Sequence, residues 1–339
     1  MYNGILNVYK ERGYTSFDVV AKLRGICGQK KIGHTGTLDP EAEGVLPVCL
    51  GKATKVCVML TDRDKTYRAV MLLGVETDTL DTSGQVLRRS DTDGITEEAV
   101  REAIAGFVGE TDQIPPMYSA LKVNGQKLCD LARKGQTVER KPRRITIYEI
   151  RVESMNLPRV TMTVRCSKGT YIRSLCHDIG EKLGCHAALE HLLRTEAAGY
   201  RVEDALRLDE ISALRDAGEL KTRIRPVEDV FRQYPSIQTM EKEDRFLYNG
   251  NALREDRVSF AEGTAVTGRP KGERAVRTRA HGDTMPSKSV AGGKKESDQA
   301  AYGASGVQQD ASSNAGKQKA LSKTGKQEIS VHAAQKDAW

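Results

Sequence analysis

The sequence lacks the features of a disulfide-bonded, metal-binding or membrane-spanning protein. Its seven cysteines are odd in number and include no Cys-x-x-Cys pair, so we expect neither a zinc site nor a disulfide framework. No window approaches the roughly 18 apolar residues of a membrane span, and the N-terminal MYNGILNVYK has no apolar core of signal-peptide length. We therefore expect a soluble, cytoplasmic protein.

The net charge is also small over most of the chain. The net charge is +7, but residues 263–339 contain 13 Lys and Arg against 7 Asp and Glu, which leaves only +1 for residues 1–262. An anionic partner would then have to be recognised by charge segregated onto one face of the body. Residues 263–339 also contain only 10 residues from the set Val, Ile, Leu, Met, Phe, Tyr and Trp, too few to offset the entropy of folding. We predict a disordered basic tail over residues 263–339.

The stretch KKIGHTGTLDPEAEGVLPVCLG, which begins at Lys30, is rich in glycine and polar residues and ends in an apolar strand. Its glycines allow close approach to a ligand, and Pro40 forces Asp39 into an extended conformation. A carboxylate presented on a loop that is held against a rigid sheet is well placed for catalysis. A simple Asp-Pro turn between two elements is the alternative interpretation.

The N-terminal region combines a short strand with a capped helix. Residues 5–8 are apolar and predict the strand, and Thr15 with Asp18 three residues later forms a capping-box pattern that predicts the helix. Lys10 lies in the turn between them. Its side chain is interpreted as a structural contact, as a phosphate contact or as solvated surface.

Three later segments carry aromatic or cationic residues in positions that can meet a ligand. The run TYRAVMLL predicts a strand with Tyr67 half-buried near its start. QIPPMYSALKVNG contains a double proline, which predicts an ordered surface loop carrying Tyr118 and Lys122. KGTYIRSLCHDIGEKLG predicts an amphipathic helix after a glycine turn. Arg173 lies at the start of that helix, where a cation is unfavourable unless a carboxylate lies nearby.

The segment that contains Asp39 resembles a known family signature. As GHTGTLDPEAEGVLPVCLGKATK it is similar to the signature of the TruB-type pseudouridine synthases. Four further segments match in the family's order and together span residues 3 to 185. They are NGILNVYKERGYTSFDVV, DKTYRAVMLLGVETDTLDTSG, QIPPMYSALKVNGQKL and CSKGTYIRSLCHDIGEKLGC.

The resemblance implies an α+β pseudouridine-synthase fold with a mixed, mainly antiparallel central sheet flanked by helices and loops. It implies a catalytic domain over residues 1–232 and a truncated or degenerate remnant of a small PUA-like RNA-binding region over residues 233–262. The disordered tail would follow. The implied enzyme isomerises uridine 55, in the T-loop of transfer RNA, to pseudouridine and uses no cofactor or metal. Its implied partner is tRNA, and we expect a monomer that makes no membrane contact.

The resemblance also assigns roles to individual residues. Asp39 matches the catalytic aspartate, Arg173 matches the arginine that pairs with it, and Tyr67 matches the tyrosine that stacks on the target uracil. Leu192 matches a leucine that lines the base pocket. His34 matches the residue that helps to hold the flipped-out uridine.

Four further residues are expected to bind the substrate. Tyr171 is placed in the active site by the resemblance, and Lys10 is expected to contact an RNA phosphate or to be structural. Tyr118 and Lys122 belong to a block that lies beside the cleft in this family, and they are interpreted either as RNA-facing or as ordinary packing.

Two other functions stay open from the sequence. A non-catalytic RNA-binding or RNA-folding module could use the same cleft, although a carboxylate in an anion-binding groove repels phosphate and therefore favours chemistry. A related synthase could act on another RNA. The sequence also leaves open whether Asp39 attacks the ribose or the pyrimidine ring.

Overall fold

The computed structural model describes residues 1–232 and, beyond them, the backbone of six strands; the other residues of 233–339 lie outside the described part. By contact the chain divides into two compact units, Met1–Val227 and Glu228–Trp339. All of the predicted site residues belong to the first unit.

The helices of the first unit begin and end where local signals place them. Thr15 accepts a hydrogen bond from the Asp18 N–H, the Asp18 carboxylate accepts from the Thr15 N–H, and Gly28 ends that helix in a left-handed conformation, as predicted. The α-helices are α1 (Ser16–Cys27), α2 (Cys57–Thr61), α3 (Glu97–Ala105), α4 (Leu128–Ala132), α5 (Ile172–Leu183) and α6 (Leu208–Asp216), with 3-10 helices at Gly51–Val56, Val202–Asp204, Leu220–Arg223 and Val227–Phe231.

The strands of residues 1–232 alternate with these helices along the chain. They are β1 (Gly4–Lys10), β2 (Ile32–His34), β3 (Glu43–Leu50), β4 (Lys65–Leu73), β5 (Val75–Thr77), β6 (Val86–Arg89), β7 (Gly109–Gln113), β8 (Lys122–Val123), β9 (Gln126–Lys127), β10 (Arg143–Asn156), β11 (Arg159–Cys166), β12 (Ala187–Ala197), β13 (Tyr200–Arg201) and β14 (Ile224–Arg225).

Ten of these strands form one sheet in the order β14-β1-β3-β12-β4-β11-β10-β7, with β13 beside β12 and β2 beside β3. Its strands pair antiparallel except β12 with β3, which are parallel. The sheet is therefore mixed and mainly antiparallel, and the predicted α+β fold class is confirmed.

The burial of each strand follows its position in the sheet. Strand β4 alternates between buried and less buried residues, as a strand with one face on the core does, whereas β3 is buried along almost its whole length. Two clusters of buried side chains result. One packs β4, β10, β11 and β12 against α3 and α5, and the other packs β1 and β3 against α1 and α6.

Gly44 permits the one parallel pairing of the sheet. It has a φ of 106°, and a Cβ atom there would lie 2.3 Å from the Arg194 carbonyl oxygen of β12. Any larger residue would separate β3 from β12. Two other glycines of the stretch that begins at Lys30 differ: Gly36 has a φ of 136°, whereas Gly33 has no positive φ.

The described residues of the second unit include six short strands, of which only the backbone is considered. They are β15 (Ser236–Thr239), β16 (Leu253–Arg254), β17 (Val258–Phe260), β18 (Arg274–Arg279), β19 (Ser289–Gly292) and β20 (Glu328–Ile329). Strands β17, β15, β18 and β19 form a sheet, and β16 pairs with β20. Strands β18 to β20 lie within residues 263–339, where the sequence predicted a disordered tail. The predicted domain boundaries at 232 and 262 stay predictions.

Candidate active site

Asp39 lies in the loop between β2 and β3, and helix α1 anchors the residue before it. The Ser16 hydroxyl accepts a hydrogen bond from the Leu38 N–H at 2.8 Å and lies 3.2 Å from the Leu38 carbonyl, to which it donates. Leu38 itself is buried in the larger core cluster. The backbone that leads into Asp39 is therefore fixed from two directions.

Lys10 anchors the residues after Asp39, which agrees with the structural contact among its predicted roles and corrects only the prediction that it lies in a turn. It is the last residue of β1 and is fully buried. Its ammonium donates to the carbonyls of Ala42 at 2.6 Å, Glu11 at 3.0 Å and Pro40 at 3.2 Å. Burial lowers the pKa of Lys10 to about 8. Because its donors are occupied by loop carbonyls, Lys10 is a structural residue and has no exposed charge for a phosphate.

Replacing Lys10 with Met is expected to lower the free energy of unfolding by about 1–3 kcal/mol, since buried carbonyls lose their donor. Turnover should fall as well, because the loop that carries Asp39 loosens. Urea denaturation of Lys10→Met beside Lys221→Met, a change at an exposed lysine, measures the effect. Equal stability of the two variants would contradict the anchoring role.

Arg173 pairs with Asp39, as predicted. One guanidinium nitrogen lies 2.9 Å from the Asp39 carboxylate and 2.7 Å from the Tyr118 carbonyl, and the other donates to the Thr79 carbonyl at 2.9 Å. The Arg173 side chain is only 5% exposed, whereas that of Asp39 is 42% exposed. The arginine is thus held rigidly by backbone carbonyls while the carboxylate stays open to a ligand.

Burial and charge act on Asp39 in opposite directions. Burial raises the pKa of Asp39 above its ordinary value, and the carboxylate of Asp81 raises it further, whereas the charge of Arg173 lowers it. The net direction is upward. Asp81 lies 3.8 Å from Arg173, so one arginine faces two carboxylates.

Tyr67 lies in β4 opposite Arg194 of β12, and both side chains are buried. Burial raises the pKa of Tyr67 to about 12, against the charge of Arg194 and a hydrogen bond from it. Arg194 also donates to the carbonyls of Val45 at 2.7 Å and Gly36 at 3.2 Å. Arg194 therefore ties the tyrosine, β3 and the start of the Asp39 loop together.

Leu192 adds an apolar side chain to strand β12 beside Arg194. It lies two residues before Arg194 on β12, so both side chains lie on one face of the strand. Leu192 lines a cleft together with Asp39, Arg173 and Asp81. The cleft therefore combines an exposed carboxylate, a buried cation and an apolar surface.

His34 ends β2, two residues before the turn at Gly36. Its Nδ1 atom accepts a hydrogen bond from the Gly36 N–H at 3.4 Å. Burial, together with the charge of Arg194, lowers the pKa of His34, so the ring is neutral at neutral pH. Its Nε2 atom then carries the proton and can donate it to a ligand.

The remaining predicted residues, Tyr171, Tyr118 and Lys122, differ in their contacts and in their exposure. Tyr171 caps the start of α5, where its N–H donates to the Gln113 side chain at 2.8 Å. The Tyr118 hydroxyl donates to Asp78 at 3.3 Å, and its carbonyl holds Arg173. Lys122, in the β8–β9 hairpin, is exposed. Tyr118 therefore supports the arginine through its backbone, whereas Lys122 offers a free charge to the surface.

Sequence reasoning assigned no site role to Ser16, Asp81 or Arg194. A signal existed for Arg194, because a cation that shares the inward face of a strand with Leu192 requires buried partners. Asp81 and Ser16 gave no such signal, since both lie in segments rich in polar residues. Their roles depend on which distant segment packs against them.

Comparison with known proteins identifies the family. A model described as TruB family pseudouridylate synthase (N terminal domain) matches residues 24–172, and one described as tRNA pseudouridylate synthase B C-terminal domain matches residues 173–232. Two relatives are both named tRNA pseudouridine synthase B. The protein of Lachnoclostridium phytofermentans is 52% identical over 76% of this chain and 86% of its own length, and that of Clostridium tetani is 47% identical over 76% and 87%.

Solved structures show the same fold. A crystal structure of a Cbf5-Nop10-Gar1 complex matches with a TM-score of 0.62 and 28% identity, over 82% of this chain and 75% of the other. A structure of an H/ACA RNP bound to a substrate RNA containing 2'-deoxyuridine matches with a TM-score of 0.61 and 26% identity, over 81% and 74%.

The fold is that of a pseudouridine synthase, an isomerase. The family models and the relatives narrow this class, and the chain belongs to the TruB family of pseudouridylate synthases.

Two kinds of feature are absent from the described residues. None of their helices has both the length and the apolar character required to cross a membrane. No group of three or more His, Cys, Asp and Glu side chains in that part of the chain has the geometry of a metal site. All seven cysteines are free thiols.

Proposed function

We propose that this protein converts uridine 55, in the T-loop of tRNA, to pseudouridine, with Asp39 as the catalytic group. Membership of the TruB family and the name shared by its relatives support a tRNA substrate. The observation that carries the proposal is the 2.9 Å pair between a buried Arg173 and a half-exposed Asp39 at the edge of an apolar wall.

The reaction detaches uracil from C1′ of the ribose, rotates it and joins it again through C5, so the substrate supplies every atom. The protein must provide a charge at the sugar or base, exclude water and grip the free ring. Asp39 provides the charge, and Arg173 opposes the effect of burial and keeps the carboxylate ionised and oriented. Attack on the ribose and attack on the ring are both compatible with this role.

The base is held by apolar and aromatic surface. Leu192 lines the cleft, and the buried Tyr67 lies on the neighbouring strand β4; in this proposal a uracil packs between the two side chains. The uridine must leave the folded loop, which costs a few kcal/mol. A neutral His34, with its Nε2 proton available, can occupy the place that the base leaves.

The surrounding residues orient the RNA. Lys122 is exposed in the β8–β9 hairpin and offers a cation to the phosphate backbone. Tyr118 holds Arg173 through its carbonyl, and Tyr171 lies at the start of the helix that carries Arg173. Because one chain supplies every residue of the proposed site, a monomer can act alone in the cytoplasm, where tRNA is found.

Mapping pseudouridine in the RNA of cells that lack this protein tests the proposal. We expect the modification at position 55 of tRNA to disappear and to return when the wild-type gene, but not an Asp39→Asn variant, is restored. Loss of pseudouridine from another RNA alone would establish a different substrate. A complete pattern in the deleted cells would favour a non-catalytic RNA-binding role.

Removal of residues 261–339 is expected to preserve turnover on saturating tRNA, since the described site residues all precede this segment. Binding should depend less steeply on salt, because most of the net charge lies after residue 262 and fewer cations would displace counterions from the RNA. Affinity and turnover of the full-length and truncated proteins at several salt concentrations measure both effects. A truncated protein that binds normally but does not turn over would show that these residues complete the site.

A further inference from the structure

A second groove is lined in part by His34. It shares no lining residue with the cleft that contains Asp39 and Arg173. One wall is a face of helix α1, the floor is formed by residues 30–34, and Thr54 with Cys57 forms the other wall. Strand β2, which supplies part of the floor, pairs with β3 alone among the described strands. The groove is therefore an open surface at the edge of the sheet.

Helix α1 contributes an exposed aromatic ring to the groove. Phe17 is 62% exposed, and it shares one helical face with Arg24, seven residues later. The Arg24 guanidinium lies 5.6 Å from the centroid of the Phe17 ring. One side of the ring is thus supported by a cation, and the solvent-facing part is free to stack.

The groove is also lined by uncompensated positive charge. Arg24, Lys30 and Lys31 are exposed, no Asp or Glu lines the groove, and none of the three has an ion pair with a described residue. Elsewhere many surface arginines are neutralised, for example Arg68 by Glu153 at 2.7 Å and Arg159 by Glu190 at 2.9 Å. Because residues 1–262 carry a net charge of only +1, this concentration is a local departure from the rest of the surface.

We propose that this groove binds an unpaired nucleotide of the substrate RNA outside the target uridine, with its base stacked on Phe17 and neighbouring phosphates on Lys30 and Lys31. Aromatic rings flanked by cations are how proteins hold single-stranded nucleic acid. This inference rests on the proposed RNA substrate.

His34 connects the groove to the catalytic cleft. It lines the groove, and its Nδ1 atom accepts a hydrogen bond from the N–H of Gly36, whose carbonyl accepts one from Arg194, the residue opposite Tyr67 in the sheet. RNA that places a uridine beside Tyr67 and Leu192 therefore has its flanking nucleotides within reach of the groove. The groove fixes the register of the strand and takes no part in bond making.

A peptide strand added to the free edge of β2 is the competing occupant. Strand β2 has only three residues, which gives few backbone hydrogen bonds for strand addition. Peptide binding also leaves the three cations without a defined role. The observations therefore favour RNA, and a protein ligand becomes an outcome of the test.

The test uses the full chain and an unmodified tRNA transcript, with Phe17→Ala, Phe17→Trp and a Lys30→Glu/Lys31→Glu double variant. The matched control is Lys221→Glu/Arg223→Glu, the same charge change at exposed residues that do not line the groove. Phe17→Ala should weaken tRNA affinity about tenfold and raise KM with kcat within about twofold, because a stacked base contributes about 1–3 kcal/mol. Phe17→Trp should retain affinity, since it keeps the stacking surface.

The double lysine variant should lower the slope of log affinity against log salt by about 2, for two lost phosphate contacts, relative to the control pair. Affinities equal to those of the control, or a loss of kcat with unchanged KM, would overturn the inference. The inference would also be overturned if the groove variants bound tRNA normally but no longer bound a protein ligand. A wild-type protein that binds tRNA without modifying it would refute the proposed function alone, because the binding measurements still report on the groove.

Discussion

Asp39→Asn is expected to abolish turnover while the protein stays folded and binds tRNA with nearly wild-type affinity. The amide keeps the shape of the carboxylate but has neither its negative charge nor its nucleophilicity. The loop should keep its conformation, because Ser16 and Lys10 hold the backbone on both sides of Asp39. We expect turnover to fall at least about 10²-fold, the lower edge for a central catalytic group.

Single-turnover release of label from C5 of the target uridine, together with tRNA binding and thermal unfolding, measures this loss. Lys221→Asn is a suitable control, since it places the same residue at an exposed site. If Asp39→Asn kept more than about one per cent of wild-type activity, Asp39 would not be the catalytic group.

Arg173→Ala should lower turnover about 10²- to 10³-fold, the range for loss of a preorganised charge at a reacting centre. Arg173 opposes the effect of burial on Asp39, so its removal raises the pKa of that carboxyl further. Asp39 must be ionised to act. The acid limb of the pH–rate profile should therefore move to higher pH in the variant.

Arg173→Lys separates the charge of the arginine from its geometry. Lysine keeps a cation near Asp39 but lacks the planar fork that also reaches the Thr79 and Tyr118 carbonyls. The acid limb should stay close to that of the wild type, while turnover is only partly restored. Wild-type turnover in both variants, or an unmoved acid limb in Arg173→Ala, would show that the pair does not control Asp39.

Local signals predicted the elements that local interactions determine. The capping box of Thr15 and Asp18 predicted the start of α1, and the apolar residues 5–8 predicted strand β1. The Asp39–Arg173 pair was implied by the family signature, and a cation at the start of a helix supported it on physical grounds. These features depend on neighbours in the sequence or on a recognised motif.

Features that depend on distant segments were not predicted. The acceptors of Lys10 include the carbonyl of Ala42, which lies 32 positions away, so its burial could not be inferred from the turn-like sequence around it. Arg194 contacts Gly36 across 158 positions. A buried charge is stable only where hydrogen-bond or ion-pair partners surround it. The order of the strands in the sheet determines which partners come together.

The central position of β12 has a consequence for synthesis of the protein. Residues 187–197 lie between β3 and β4, which leave the ribosome much earlier. Until β12 is made, the growing chain can form only two partial sheets, one on β1 and β3 and the other on β4, β11, β10 and β7, each with its own apolar cluster. Each partial sheet presents a strand edge, β3 on one and β4 on the other, that is open to incorrect pairing. Insertion of β12 joins them and brings Arg194 to Tyr67, so a nascent chain contains Asp39 long before it contains a site.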